Sequence, residues 1–123
     1  MKCFFIIPAI MALGFSGPAM AQDAAKGGTL FQQRCAMCHA AKAGAPARMG
    51  PNLFGVVGRK AGTLAGYNYS PAMAKSGLVW NEKTIDSYLE HPRTTVAGNK
   101  MAFPGLANEP DRQNIVAYLK TVK

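Results

Sequence analysis

Cys35-Ala36-Met37-Cys38-His39 decides how this chain reads. Two thiols stand three positions apart, and an imidazole follows at once. Haem carries two vinyl groups at fixed places on one edge. Thiols separated by two residues at a helix end can each form a thioether to one vinyl. The next residue then lies over the ring, where an imidazole can bind iron. Other uses of the pattern fit worse. A structural zinc site needs a second ligand pair, and the only other histidine is His91. A redox-active C-x-x-C belongs in a βαβ setting, which nothing in the chain suggests. A disulfide closing so small a loop stabilises little and leaves His39 unexplained. The expectation is one haem c per chain, bound through Cys35 and Cys38, with His39 on the iron.

The N-terminal side suggests export. Met1-Lys2 is a positive start, Phe4 to Phe15 is an apolar run broken by Pro8 and Gly14, and Ala19-Met20-Ala21 is an A-x-A cleavage site. That is the layout of a signal peptide, and the apolar run is short for a bilayer span. Residues 1–21 are thus expected to be a signal peptide cleaved after Ala21, with Cys3 discarded. Residues 22–123 would form a single exported domain in the periplasm. An uncleaved anchor is the other reading. The chain has 14 Lys and Arg against 6 Asp and Glu, a formal charge of +8. In an exported protein this charge points to acidic partners, not nucleic acid.

Downstream, Gly and Pro crowd the stretches between Gly44 and Gly66 and between Pro92 and Gly105. A domain this small buries a modest core, so an internal apolar group would give such loops something to wrap. Four helices are expected. The first follows the N-cap Asp23 and runs to about Arg34, with Leu30, Phe31 and Cys35 on its apolar side. A short second one has Ser70 as N-cap, Pro71 at its first position and a stop by Gly77. The third begins after Asn81 and ends before Pro92, presenting Ile85, Tyr88 and Leu89. The last runs from near Asn108 to about Val122, with Ile115, Leu119 and Val122 in register. No segment alternates with a two-residue period, so the fold class is all-α with long loops.

A second axial ligand must come from Met37, Met49, Met73 or Met101, the methionines beyond the leader. Met37 lies inside the attachment loop, Met49 is close to His39, and Met73 falls in the short helix. Met101 sits in a Gly/Pro-bounded loop, Gly98 to Gly105, far from His39 along the chain. A loop can wrap to the far side of a ring, and a thioether is a soft donor suited to iron. Filling core space is the other role open to Met101.

Taken together, the residues resemble mitochondrial cytochrome c and its bacterial periplasmic relatives, the class I c-type cytochromes. The resemblance covers nearly all of residues 22–123 and rests on motifs in order: Gly27 and Phe31, the C-x-x-C-H run, Gly50-Pro51-Asn52-Leu53, Gly58-Arg59-Lys60, Tyr67-Asn68-Tyr69, Trp80, Tyr88-Leu89-Glu90-His91-Pro92, Lys100-Met101 with Phe103, and Ala117-Tyr118-Leu119-Lys120. It implies a class I cytochrome c fold with Met101 as the second ligand. It also implies that Pro51 offers its carbonyl to His39 Nδ1–H, and that Tyr88 directs its hydroxyl at the Met101 sulfur. Arg59, Tyr69 and Trp80 would hold a buried propionate. Asn99 would reach a propionate, Phe103 would cover the haem edge, and Gly27 and Tyr118 would mark the crossing of the first and last helices. Four positions depart from the mitochondrial pattern: Asn99 stands for Thr, Pro104 for Ala, Met73 for Asn and His91 for Asn.

Iron held by His39 and Met101 has no open position, which implies a soluble one-electron carrier and not an enzyme. A haem peroxidase, or a haem subunit of a periplasmic dehydrogenase, is the alternative. The resemblance further implies a monomer that docks briefly on acidic surfaces of redox complexes: a reductase and an oxidase in respiration, or a photosynthetic reaction centre. Arg34, Arg48, Arg93 and Lys100 would make the contact. Other lysines of that ring are missing, with Thr29, Pro46, Thr94 and Ala107 in their places.

Overall fold

The structure, a computed structural model, describes Gly14 and residues 22–123; the expected leader otherwise lies outside the described residues. Among the described residues five helices follow in order: α1 (Ala24–Arg34), α2 (Pro71–Lys75), α3 (Glu82–Glu90), α4 (Pro92–Thr95) and α5 (Glu109–Thr121). Among the described residues there is no strand, only an isolated antiparallel bridge between Lys60 and Val79. None of the described helices is long and apolar enough to cross a membrane.

Each expected helix begins where a side chain can satisfy orphan N–H groups. Asp23 accepts from the Lys26 N–H, Ser70 from Met73 and Asn108 from Asp111, while Asn81 and Thr84 form a reciprocal capping box. The unexpected element is α4. Pro92 does end α3, but as the N1 residue of a new turn; His91 is the cap of both helices.

The scaffold is the crossing of α1 and α5. A Cβ built on Gly27 would lie 1.8 Å from the Asn114 carbonyl oxygen and 2.9 Å from Tyr118 Cβ. Only a glycine lets the two backbones come this near. Phe31, 1% exposed, meets the Tyr118 ring with centroids 5.2 Å apart. Asn114 Oδ1 also accepts from the Asp23 N–H at 2.9 Å, tying the start of α1 to the middle of α5.

α3 is joined to α5 by a buried charge. Arg112 is 4% exposed; its Nε donates to Asp86 Oδ1 at 2.8 Å, and its Nη1 donates to the carbonyls of Leu106 and Ala107, each at 2.9 Å. Its Nη2 lies 3.7 Å from Glu90 Oε2, and this set of acceptors and carboxylates is what allows the cation inside. Its bond to Asp86 raises its pKa above the usual value, so it stays charged. The rest of the core comes from loops and short helices: Val56, Ala61, Met73, Trp80, Val96 and Leu106 pack with Ile85, Ile115, Val116 and Leu119.

Candidate functional site

The long loop after α1 and the loop after α4 curve around one mainly apolar cavity of about 380 Å³. Cys35 and Cys38 lie on its wall just past the end of α1. Both are free, not joined to each other. Burial pushes the Cys35 thiol up to about 11, the nearby Cys38 adds to this, and Arg34 opposes it. The thiol is therefore protonated at neutral pH, the opposite of the low-pKa thiolate that disulfide exchange uses.

His39 lines the same cavity. Its Nδ1 lies 2.8 Å from the Pro51 carbonyl oxygen. A carbonyl can only accept, so Nδ1 carries the hydrogen and Nε2 keeps its lone pair. Burial lowers the pKa of this imidazole, with the Pro51 bond offsetting part of the effect. The ring is also clamped sterically, since a Cβ on Gly50 would stand 2.4 Å from His39 Cε1. Gly50 belongs to a stretch that the sequence singled out, yet its contact with the imidazole had no sequence signal beyond its place beside Pro51.

Met101 lies on the cavity wall in the loop after α4, and Tyr88 Oη stands 4.0 Å from its sulfur. Burial pushes the Tyr88 hydroxyl up to about 12, so it remains a donor. Met37, Met49 and Met73 line the cavity as well. Met37 and Met49 are 86% and 74% exposed, while Met73 is packed in the core. Lining alone does not separate the four thioethers; the loop setting and the Tyr88 hydroxyl distinguish Met101.

Arg59, Tyr69 and Trp80 meet on another stretch of wall. Arg59 Nη2 donates to the Asn52 carbonyl at 2.9 Å, and burial lowers the guanidinium pKa. Tyr69 packs edge-on against Tyr67 with centroids 4.8 Å apart, and Trp80 tilts against Tyr88 at 5.1 Å. Phe103 and Asn99 complete the wall beside Met101. Asn99 does not fit the propionate role as expected, because both amide hydrogens go to backbone carbonyls, those of Pro92 and Val96.

All eleven side chains expected at the cofactor therefore come to one cavity. Two soft sulfurs beside a neutral imidazole, with a thioether on the same apolar wall, suit a covalent haem. Among the described residues no cluster of three or more His, Cys, Asp or Glu could hold a bare metal ion. His91, the other imidazole, is exposed and lies 3.8 Å from Glu90 Oε1. The four docking cations are less uniform. Arg34 and Lys100 are exposed at the cavity wall, with Lys100 Nζ bonded to the Asn68 carbonyl and 4.7 Å from the Tyr67 ring centroid. Arg48 donates to the Ala36 carbonyl at 2.6 Å, and Arg93 sits on α4 away from the wall.

Comparison with known proteins gives a consistent answer. The model of the family described as Cytochrome c matches residues 24–123. Cytochrome c of Kluyveromyces lactis is 49% identical over 94 residues, covering 76% of this chain and 86% of its own. Cytochrome c of Cochliobolus lunatus is 46% identical over 98 residues, covering 80% and 91%. For cytochrome c of Arabidopsis thaliana the values are 45% over 98 residues, 80% and 88%. One expectation is overturned here. These relatives come from a yeast, a filamentous fungus and a plant, and the likeness is to the mitochondrial type, which sits in the intermembrane space, and not to a bacterial periplasmic protein. The periplasmic location and the leader cleaved after Ala21 do not stand.

Proposed function

Because this chain belongs to the cytochrome c family, whose members carry electrons on one covalent haem c and are not enzymes, we propose that Cys35 and Cys38 form the two thioethers and that His39 and Met101 ligate the iron. The chain is accordingly an electron carrier that meets redox complexes transiently. What supports the residue assignment is the convergence of these four side chains on one apolar cavity, with His39 locked by the Pro51 carbonyl.

When bound, the haem supplies one-electron exchange between ferrous and ferric iron. The chain's own residues set its conditions. Pro51 holds the His39 tautomer that leaves Nε2 available, and Gly50 leaves no room for the ring to swing. Met101 contributes a weak neutral donor that favours the ferrous state, and the Tyr88 hydroxyl near its sulfur tempers that donation. The apolar wall of Leu53, Val56, Ile85 and Leu119 works in the same direction, since it disfavours the extra charge of the ferric state. Arg59 is a cation made uncomfortable by burial; a propionate beside it would relieve that cost, with Tyr69 and Trp80 on the same wall. Phe103, on the cavity wall, would cover the haem edge.

Peroxidase chemistry would need a vacant iron face and a distal acid–base group. His39 is the only imidazole on the cavity wall, so the carrier reading is the one with residues to perform it. Docking is assigned to Arg34, Arg48, Arg93 and Lys100 against acidic partner surfaces of respiratory or photosynthetic complexes, with residues 22–123 as the working monomeric domain.

The test combines intact mass with an absorption spectrum of the purified protein. Expected are a mass excess of one haem, sharp low-spin bands on reduction, and the weak far-red sulfur-to-iron band when oxidised. A high-spin spectrum that responds to carbon monoxide or peroxide would mean an open iron face and sink the assignment of Met101.

A further inference from the structure

The side chain of Asn99 is fully engaged by backbone. Its Nδ2 lies 2.8 Å from the Pro92 carbonyl oxygen and 2.9 Å from that of Val96, and its Oδ1 lies 2.9 Å from the Met101 backbone nitrogen. A primary amide has two N–H donors and one carbonyl acceptor, and all three have partners here. The orientation follows from those partners. Carbonyls only accept and a backbone N–H only donates, so nitrogen must face α4 and oxygen must face Met101. No hydrogen is left over for a carboxylate.

These contacts join two things. On one side they cap the end of α4: among the described residues, the carbonyls of Pro92 and of Val96, the residue that follows α4, are otherwise met only by the Val96 N–H and the Asn99 N–H respectively, each at 3.1 Å. On the other they hold the backbone of Met101. That backbone has no other tether: among the described residues, the N–H groups of residues 100–103 and 105 make no backbone hydrogen bond. The stretch is bounded by Gly98 at φ 87° and Gly105 at φ 111°, left-handed conformations that glycine adopts without strain. A ligand loop between two such glycines, with no backbone ladder, depends on side chains for its position.

We propose that Asn99 is the positioning residue for the Met101 sulfur, a clip between α4 and the ligand loop that holds the thioether in place against an incoming ligand. The proposal rests on Met101 being an iron ligand. Without the clip the loop would swing about its glycines, and an external donor would displace the sulfur more readily.

The experiment titrates ferric holoprotein with imidazole and follows loss of the far-red sulfur-to-iron band, in the wild type, Asn99→Leu and Asn99→Thr, with a urea midpoint for each. Asn99→Leu is close in size and makes none of the three bonds. Its imidazole dissociation constant should fall about tenfold, which corresponds to about 1.4 kcal/mol. Asn99→Thr, with one hydroxyl, should fall between the two. Equal constants in the wild type and Asn99→Leu overturn the proposal, whether or not the urea midpoint moves. Should Asn99→Leu yield no folded holoprotein, Asn99→Thr decides: about threefold tighter imidazole binding supports the clip, and no change overturns it. A wild-type spectrum without the sulfur band fails differently, because it removes Met101 ligation itself, and the proposal with it.

Discussion

The α1–α5 crossing and the loops around the cavity are held by different physics. At the crossing, helix backbones touch through Gly27, ring meets ring at Phe31 and Tyr118, and each residue satisfies its own backbone groups. In the loops, backbone bonds such as Leu53 N–H to the Ala40 carbonyl are scattered, and side chains supplement them. Asn52 donates to the carbonyls of Lys42 and Ala45 and accepts from Phe54, Tyr67 donates to the Met49 carbonyl, and Asn99 holds Pro92, Val96 and Met101. Helices of 11 and 13 residues cover one side of the core; the loops that complete it with Val56, Ala61, Val96 and Leu106 curve around a cavity that the haem would fill. The difference separates what the chain supplies from what the haem supplies.

The largest expected effect follows from this. Haem-free protein, made as the double variant Cys35→Ala and Cys38→Ala, should lose about half or more of its far-UV helical signal, because folding here is coupled to the cofactor. Native helicity without haem would erase the distinction between the two regions. Next in size is Gly27→Val. Its Cβ would stand 1.8 Å from the Asn114 carbonyl, so the helices must separate, at a cost of about 3 kcal/mol. In holoprotein the urea midpoint should drop while the far-red sulfur band stays. Loss of that band would mean that the crossing and the ligand loop are one cooperative unit.

The sequence made one of these regions far more legible than the other. Asp23, Ser70, Asn81 and Asn108 announce helix starts by chemistry that is local to the chain, and the C-x-x-C-H run is local too. α4 was missed because four residues are too few to show a period, and because Pro92 reads equally well as a stop or as an N1 residue. Nothing in the sequence singles out Arg112; its burial depends on Asp86, 26 positions away, and on carbonyls that no sequence displays. Likeness to a threonine points Asn99 at a propionate, but the carbonyls that claim its hydrogens lie on the unforeseen α4 and at its C-cap, Val96. What is written in neighbouring residues was readable; what depends on backbone atoms arriving from elsewhere was not.

A smaller effect separates the two thioethers that are not fully exposed. Met73→Leu should keep the far-red band and cost less than about 1.5 kcal/mol, since Met73 packs in the core and leucine nearly conserves its volume. Met101→Leu should abolish the band and lower the reduction potential. Should Met73→Leu abolish it instead, the ligand would come from the short helix α2, and the loop would be only a cover.

The smallest effect concerns charge at the mouth. Arg34 stands at the cavity wall and Arg93 on α4 away from it, both exposed. If docking centres on the cavity, Arg34→Gln should slow electron transfer to an acidic partner about two- to threefold at low salt, and Arg93→Gln should slow it less. Both differences should vanish near 1 M salt, where the screening length is about 3 Å. The comparison needs only stopped-flow rates at several ionic strengths. Equal slowing by the two variants would mean that partners respond to the net charge of the molecule and not to its distribution, and the cavity mouth would lose its claim to be the centre of the docking surface.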